Sequence, residues 1–308
     1  FFESALLTEA LSTFLLVTTL VLLVLIRDES SCASLKLILL GAAVGILPLV
    51  RPLYVYMPLL LAIPVLGMLT TCRRRFWLFI LPAVLPAILW ASYLGSTFGY
   101  FGLQTVSGFG WTNHAGPFMR DAPEQYAAIR DIYLRHVSHG GNIWTSIPDM
   151  QRATGQSYPE LSKTVQRLSI QLLMSHPTAY AGQVARGFVD FWKGHGLPSD
   201  WAPFGTLTRP VWTISRAIGI LVSAGFCIIV AMLMTAQLRL LRLPSLPWPC
   251  IWLTLAVLCA GAAQAIVELG GAARFGVPTY PYVVVVALCG LDTWLLRRGA
   301  RVVARRDA

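Results

Sequence analysis

Four charged residues sit where an otherwise apolar chain gives them little reason to be. In 308 residues only 12% are charged, yet Glu9 opens one apolar run and Arg51-Pro52 stands between two others. Glu268 lies just ahead of the Gly-rich segment Gly270-Gly271-Ala272-Ala273-Arg274-Phe275-Gly276-Val277-Pro278, and Arg274 lies inside it. Charge at the edge of apolar segments is costly and usually marks a polar ligand. Two guanidinium groups on one side suit a phosphate or pyrophosphate, because Arg grips phosphate oxygens in pairs. A carboxylate beside them can orient an arginine, bind a hydroxyl or move a proton. Tyr54 and Tyr280, near Arg51 and Arg274 in sequence, could stack on a sugar; with Tyr56 and Tyr282 they also fit an interfacial aromatic belt. The plainer alternatives are arginines that snorkel to water, a Glu268 that only pairs with a neighbouring arginine and a Glu9 that serves a helix dipole.

Other chemistries find less support. His136 and His139 share a helix face, and His114 lies upstream, but no carboxylate motif or third ligand joins them, so neither a metal nor a cofactor is expected. The six cysteines, at 32, 72, 227, 250, 259 and 289, form no CxxC pair and read as free thiols. There is no Ser-His-Asp ordering and no Gly-rich phosphate loop. Asp292 can reach Arg297 or Arg298 as a structural pair.

The elements that must position these residues are helices. With 56% hydrophobic residues and a mean hydropathy of +0.64, the chain reads as an all-α polytopic membrane protein. A span takes about 20 apolar residues, and seven segments fit: 5–26, 35–50, 53–71, 76–95, 211–236, 250–267 and 282–296. Arginine clusters at 73–75, at 239 and 242, and from 297 to 306 mark the cytoplasmic side. Alternate threading then places the N-terminus of this chain outside and the C-terminus in the cytoplasm. It also places Arg51, the loop carrying Arg274 and the long polar stretch on the outer face. The chain divides into spans one to four (1–95), an outer, mainly helical region (96–210), and spans five to seven with a basic tail (211–308). The net charge of +10 is mostly this topology, so nucleic acid is not expected as a partner. Phe1 begins without a basic leader and close to a span, so the chain reads as a fragment lacking upstream helices.

Within the outer region, the pattern predicts helices from Ala122 to a stop at Gly140-Gly141-Asn142, from Pro159 to His176, and from Pro177 to Trp192. The third carries Tyr180, Val184, Phe188 and Trp192 on one side, which suits either a membrane surface or packing within the loop.

Taken in order, Leu7-Thr8-Glu9-Ala10-Leu11, the hairpin from Gly45 to Arg51-Pro52, His176-Pro177-Thr178-Ala179-Tyr180 with Phe191-Trp192, and the stretch from Glu268 to Pro281 resemble polytopic GT-C glycosyltransferases. The nearest branch is the bacterial one similar to protein O-mannosyltransferases and lipid A aminoarabinose transferases. The resemblance implies transfer of a sugar from a polyprenyl-phosphate donor to a lipid, glycan or protein acceptor at the outer face of the bacterial inner membrane. It implies a donor-phosphate or structural role for Arg51 and Arg274, with Glu9, Glu268, Tyr54 and Tyr280 as substrate-binding neighbours. The family's catalytic Asp lies in a first outer loop that would precede Phe1, so no catalytic residue is assigned in this chain. An O-antigen polymerase or ligase, or a flippase for a lipid-linked glycan, is the alternative.

Overall fold

A computed structural model describes residues 2–27, 34–69, 73–192, 208–237, 248–267 and 277–289. Among them the secondary structure is helical, without a strand. The long apolar runs form α1 (Phe2–Arg27), α2 (Ser34–Val50), α3 (Met57–Met68), α4 (Phe76–Phe98), α10 (Thr208–Gln237), α11 (Trp248–Val267) and α12 (Tyr280–Cys289). The polar stretch folds as α5 (Ser107–Ala115), α6 (Ala127–Ser138), α7 (Ile143–Thr154), α8 (Tyr158–Ser175) and α9 (Pro177–Phe191).

Three segments are long and apolar enough to cross a membrane, 8–26, 73–98 and 250–267. Four shorter apolar helices, 34–50, 52–68, 216–231 and 280–289, accompany them. Three rather than seven therefore reach full span length among the described residues. α2, at 17 residues, rises only about 25 Å at 1.5 Å per residue, and α12 is described only as far as Cys289. Phe14, Leu59, Trp77, Leu89 and Leu221 point outward from these helices, an apolar surface that water-soluble chains rarely display and that fits a membrane protein.

α1 and α2 form an antiparallel hairpin, and α2 packs most extensively on α4. Gly41 and Gly45 make that contact possible. A Cβ on either would strike α4 backbone, the carbonyls of Phe79 and Pro82 respectively, so the two helices meet backbone to backbone as small residues permit in membrane bundles. Proline inside α2, α3 and α4 (Pro48, Pro64, Pro82 and Pro86) is tolerated where neighbouring helices shield the freed carbonyls.

Two apolar cores result. One joins α1 to α4 with α10, α11 and α12 through Leu16, Leu40, Val44, Phe79, Phe226, Val257 and Val286. The other is built by α5 to α8 around Phe109, Met119, Ile147, Met150 and Leu168. Gly108 of α5 lies so close to α8 that a Cβ would meet the Ser162 carbonyl.

The three helices predicted in the polar stretch are present with small shifts. The first is preceded by a 3-10 turn at Glu124–Tyr126 and begins at Ala127; α8 and α9 fall within two residues of their expected bounds. Glu160 accepts a hydrogen bond from the Ser157 N–H at 2.9 Å, the N-terminal signature of α8. α5 and α7 were not foreseen. α7 starts on an Asn142 and Thr145 capping box but carries Pro148, and α5 contains two glycines, so both resemble loop in sequence.

Candidate functional site

Arg51 owes its position to the residue after it. Proline disfavours helical geometry in its predecessor, and Arg51 accordingly adopts φ −144°, ψ 111°. Its N–H donates to the Leu47 carbonyl at 2.8 Å, while its own carbonyl accepts from the Tyr54 N–H at 3.0 Å. α2 thus ends in a short 3-10 turn, Pro52–Tyr54, and the guanidinium is aimed back across the hairpin. Because α1 and α2 are antiparallel, Glu9 waits at the same end. Arg51 Nη2 donates to Glu9 Oε1 at 3.1 Å, with side chains 8% and 18% exposed. The pair is therefore nearly withdrawn from water, with Glu9 on its more open side. Glu9 is accordingly an ion-pair partner, and Arg51 is held inward rather than snorkelling.

Tyr54 closes the turn that follows Arg51, near enough for both charges of the pair to act on its hydroxyl. It is 0% exposed, and its hydroxyl has no hydrogen-bond partner among the described residues. A buried hydroxyl without a partner costs about 1–3 kcal/mol. The other tyrosines work as ties. Tyr56 donates to the Ala256 carbonyl of α11 at 2.8 Å, and Tyr282 donates to the Leu16 carbonyl of α1 at 2.9 Å. Tyr54 and Tyr282 are thus core residues and do not form an aromatic belt; full burial also denies Tyr54 a ring face for stacking on a sugar. Tyr280 stands half-buried at the start of α12, and the 3-10 turn Val277–Thr279 before it packs on α1. Glu268 and Arg274 lie outside the described residues, as does Asp292. Glu9 and Arg51 are the two of these charged residues that the described structure brings together.

A second polar cluster escaped the sequence reading. His114, fully buried on α5, has Nδ1 3.1 Å from Gln183 Oε1 of α9 and packs edge-on to the Tyr180 ring at 5.3 Å. Tyr180 donates to the Ile266 carbonyl of α11 at 2.7 Å, satisfying one of the carbonyls that a helix C-terminus leaves open. Burial pushes the His114 pKa down; the Gln183 hydrogen bond and the Ala265 backbone oppose that shift. Nε2 makes no regular hydrogen bond, so the Ala265 contribution is the weaker of the two. Gly187 meets Ala265, and Gly261 meets Phe188 and Phe191, so the apolar side of α9 is spent on α11. α9 thus packs chiefly on a helix outside the polar stretch, a partner that neither sequence alternative named.

The segment from His176 to Trp192 is a joint. His176 ends α8 and precedes α9, and Pro177 supplies its first turn. Trp192 stacks on Phe226 of α10 at 5.4 Å. A further joint is made by α8, where Lys163 donates to the Gly99 carbonyl beyond α4, which ends at a left-handed Gly99. The remaining histidines are separated: His136 contacts Asp149 at 2.9 Å, and His139 turns to the Arg135 carbonyl on its own helix.

The chain matches no protein-family model, no curated protein and no solved structure. Its chemistry is read from its own residues.

Proposed function

We propose that this protein is a polytopic membrane glycosyltransferase of the GT-C type, which moves a sugar from a polyprenyl-phosphate donor to an acceptor at the outer face of a bacterial inner membrane. The shorter apolar helices complete seven passes in this reading, with α5 to α9 as an outer domain. The observation that carries it is the Glu9 and Arg51 pair. A guanidinium and a carboxylate, nearly withdrawn from water at one end of an apolar bundle, suit a ligand whose charged head lies at that level while its tail lies among the helices.

Arg51 is assigned to the donor phosphate. Charge builds on that phosphate as the glycosidic bond breaks, and a cation already fixed in a poorly solvated site stabilises it without reorganisation. Arg274 is assigned as its companion and Glu268 as a substrate contact, on sequence position. The base that activates the acceptor hydroxyl is left unassigned.

The test is a transfer assay on membranes expressing the complete reading frame, with radiolabelled polyprenyl-phosphate hexose and aminopentose as donors. Arg51→Ala should lower turnover about 100-fold, the scale of losing one charge-stabilising donor, with turnover expressed per folded protein recovered in the membrane, because loss of Arg51 also strands the Glu9 carboxylate. Full transfer by that variant, or no transfer by the wild-type protein from any such donor, overturns the reading.

A further inference from the structure

Three features compete for a further role: the joint of His114 with Tyr180, the aromatic cluster at the end of α4 (Trp90, Tyr93, Phe98 and Phe101), and the hydroxyl of Tyr54. The last goes furthest, because it is a buried polar atom that the described structure leaves without a partner beside an ion pair placed where a ligand head would bind.

We propose that Glu9 is a place-holder for phosphate on Arg51 and that Tyr54 is its second partner: when a phosphate-bearing ligand binds Arg51, the Glu9 carboxylate leaves the guanidinium and accepts a hydrogen bond from the Tyr54 hydroxyl. The inference rests on the reading of Arg51 as a phosphate ligand. A phosphate on Arg51 brings a second anion to the guanidinium that already holds Glu9 through Nη2, and two anions on one arginine repel strongly where water is scarce. Glu9 must therefore move or be paid out in lost affinity. It is the more exposed member of the pair, at 18% against 8%, so it is the one with room to turn. A carboxylate removed from its cation in a poorly solvated place needs a new donor, and a phenol hydroxyl supplies a strong charge-assisted bond. Tyr54 is kept near the pair by its backbone, since its N–H donates to the Arg51 carbonyl and closes the turn after Arg51. The exchange leaves every charged group with a partner in both states and uses the hydroxyl only in the bound one.

The arrangement predicts opposite effects for two small substitutions. Binding is measured in nanodiscs of uncharged phosphatidylcholine with polyprenyl phosphate, with polyprenol as the control lacking phosphate and inorganic phosphate as the control lacking a lipid. Glu9→Gln removes the competitor and should raise polyprenyl-phosphate affinity about tenfold. Tyr54→Phe removes the second partner and should lower it by about the same factor, the worth of a charge-assisted hydrogen bond. In the Glu9→Gln background, Tyr54→Phe should change nothing. Parallel effects on inorganic phosphate assign the exchange to the phosphate alone; effects on the lipid only assign it to the lipid head in its bound position. Either pattern supports the exchange. Both variants should leave polyprenol binding unchanged.

A wild-type protein that binds polyprenyl phosphate no better than polyprenol overturns the phosphate reading, and the inference falls with it. Phosphate-dependent binding in which both substitutions lower affinity, or neither alters it, overturns the exchange and leaves Arg51 as a phosphate ligand. A thermal melt of each variant separates these outcomes from misfolding, and Tyr54→Phe, which deletes a single unpartnered atom, should melt no lower than the wild-type protein.

Discussion

The Glu9 and Arg51 pair is a poor device for stability and a suitable one for binding. Desolvating both groups offsets most of their attraction, so a withdrawn ion pair is often no better than an apolar pair of similar size, whereas removing one member strands a charge. Glu9→Leu should therefore destabilise the protein by about 3 kcal/mol, near the lower end for a broken buried pair because Glu9 keeps some contact with water. The double variant Glu9→Leu with Arg51→Met should recover most of that loss. Denaturant unfolding in mild detergent checks this, and a double variant less stable than Glu9→Leu alone would show that the pair is there for the fold. Sequence position was enough to single out Arg51 and Glu9, because charge beside apolar runs is rare. It could not reveal that they meet, since 42 residues separate them, nor that Tyr54, three residues on from Arg51, is fully buried.

At the scale of elements, the joint between α5, α9 and α11 has a pH dependence with a definite sign. The His114 pKa is lowered from 6.5 in the folded chain, with burial as the largest cause. As pH falls below about 6.5, the unfolded chain takes up this proton before the folded one does, so folding stability declines through that window and is unaffected by this group above it. The groups acting on the ring are the Gln183 amide, the Tyr180 ring and the Ala265 backbone, none of them an anion that would hold a proton there. Protection from hydrogen exchange at the C-terminal turn of α11, taken relative to the intrinsic amide rate at each pH, should fall on acidification in the wild-type protein, and His114→Gln should remove most of that dependence. A variant that kept the full acid response would place its origin elsewhere. This joint was only half legible in the sequence. The aromatic side of α9 gave its helix and its apolar face, but Gln183 looked like an ordinary polar residue, and α5, with Gly108 and Gly110, looked like a loop. Gly108 is there because α8 leaves no room for a side chain, a fact that belongs to packing and not to local propensity. The same reasoning covers Gly41 and Gly45, which in sequence only dilute a span and in the fold let α2 touch α4.

At the scale of the molecule, the question is how the bundle lies in a membrane. The lengths of the spans were the least legible property, because proline and short runs leave α2 at 17 residues and α3 at 12 while composition alone cannot tell a short span from a buried helix. Orientation rests on the arginines, and it can be tested at sites that leave the core alone. Met174 on α8 is 75% exposed, and Arg74, in the turn before α4, is also exposed. With the native cysteines replaced, Met174→Cys should react with a membrane-impermeant maleimide on intact spheroplasts, whereas Arg74→Cys should react only after the membrane is opened. The reverse pattern would turn the molecule over and place the Glu9 and Arg51 end in the cytoplasm. Labelling of both sites from outside would mean that α4 does not cross at all, although it is one of the three helices long enough to do so. Because α4 runs from the Arg73–Arg75 turn to the joint made by Lys163 and Gly99, its crossing fixes the side occupied by α5 to α9. The antiparallel hairpin of α1 and α2, packed along α4, then carries the Glu9 and Arg51 pair to its own level in that frame, so one labelling experiment orients both the domain and the site.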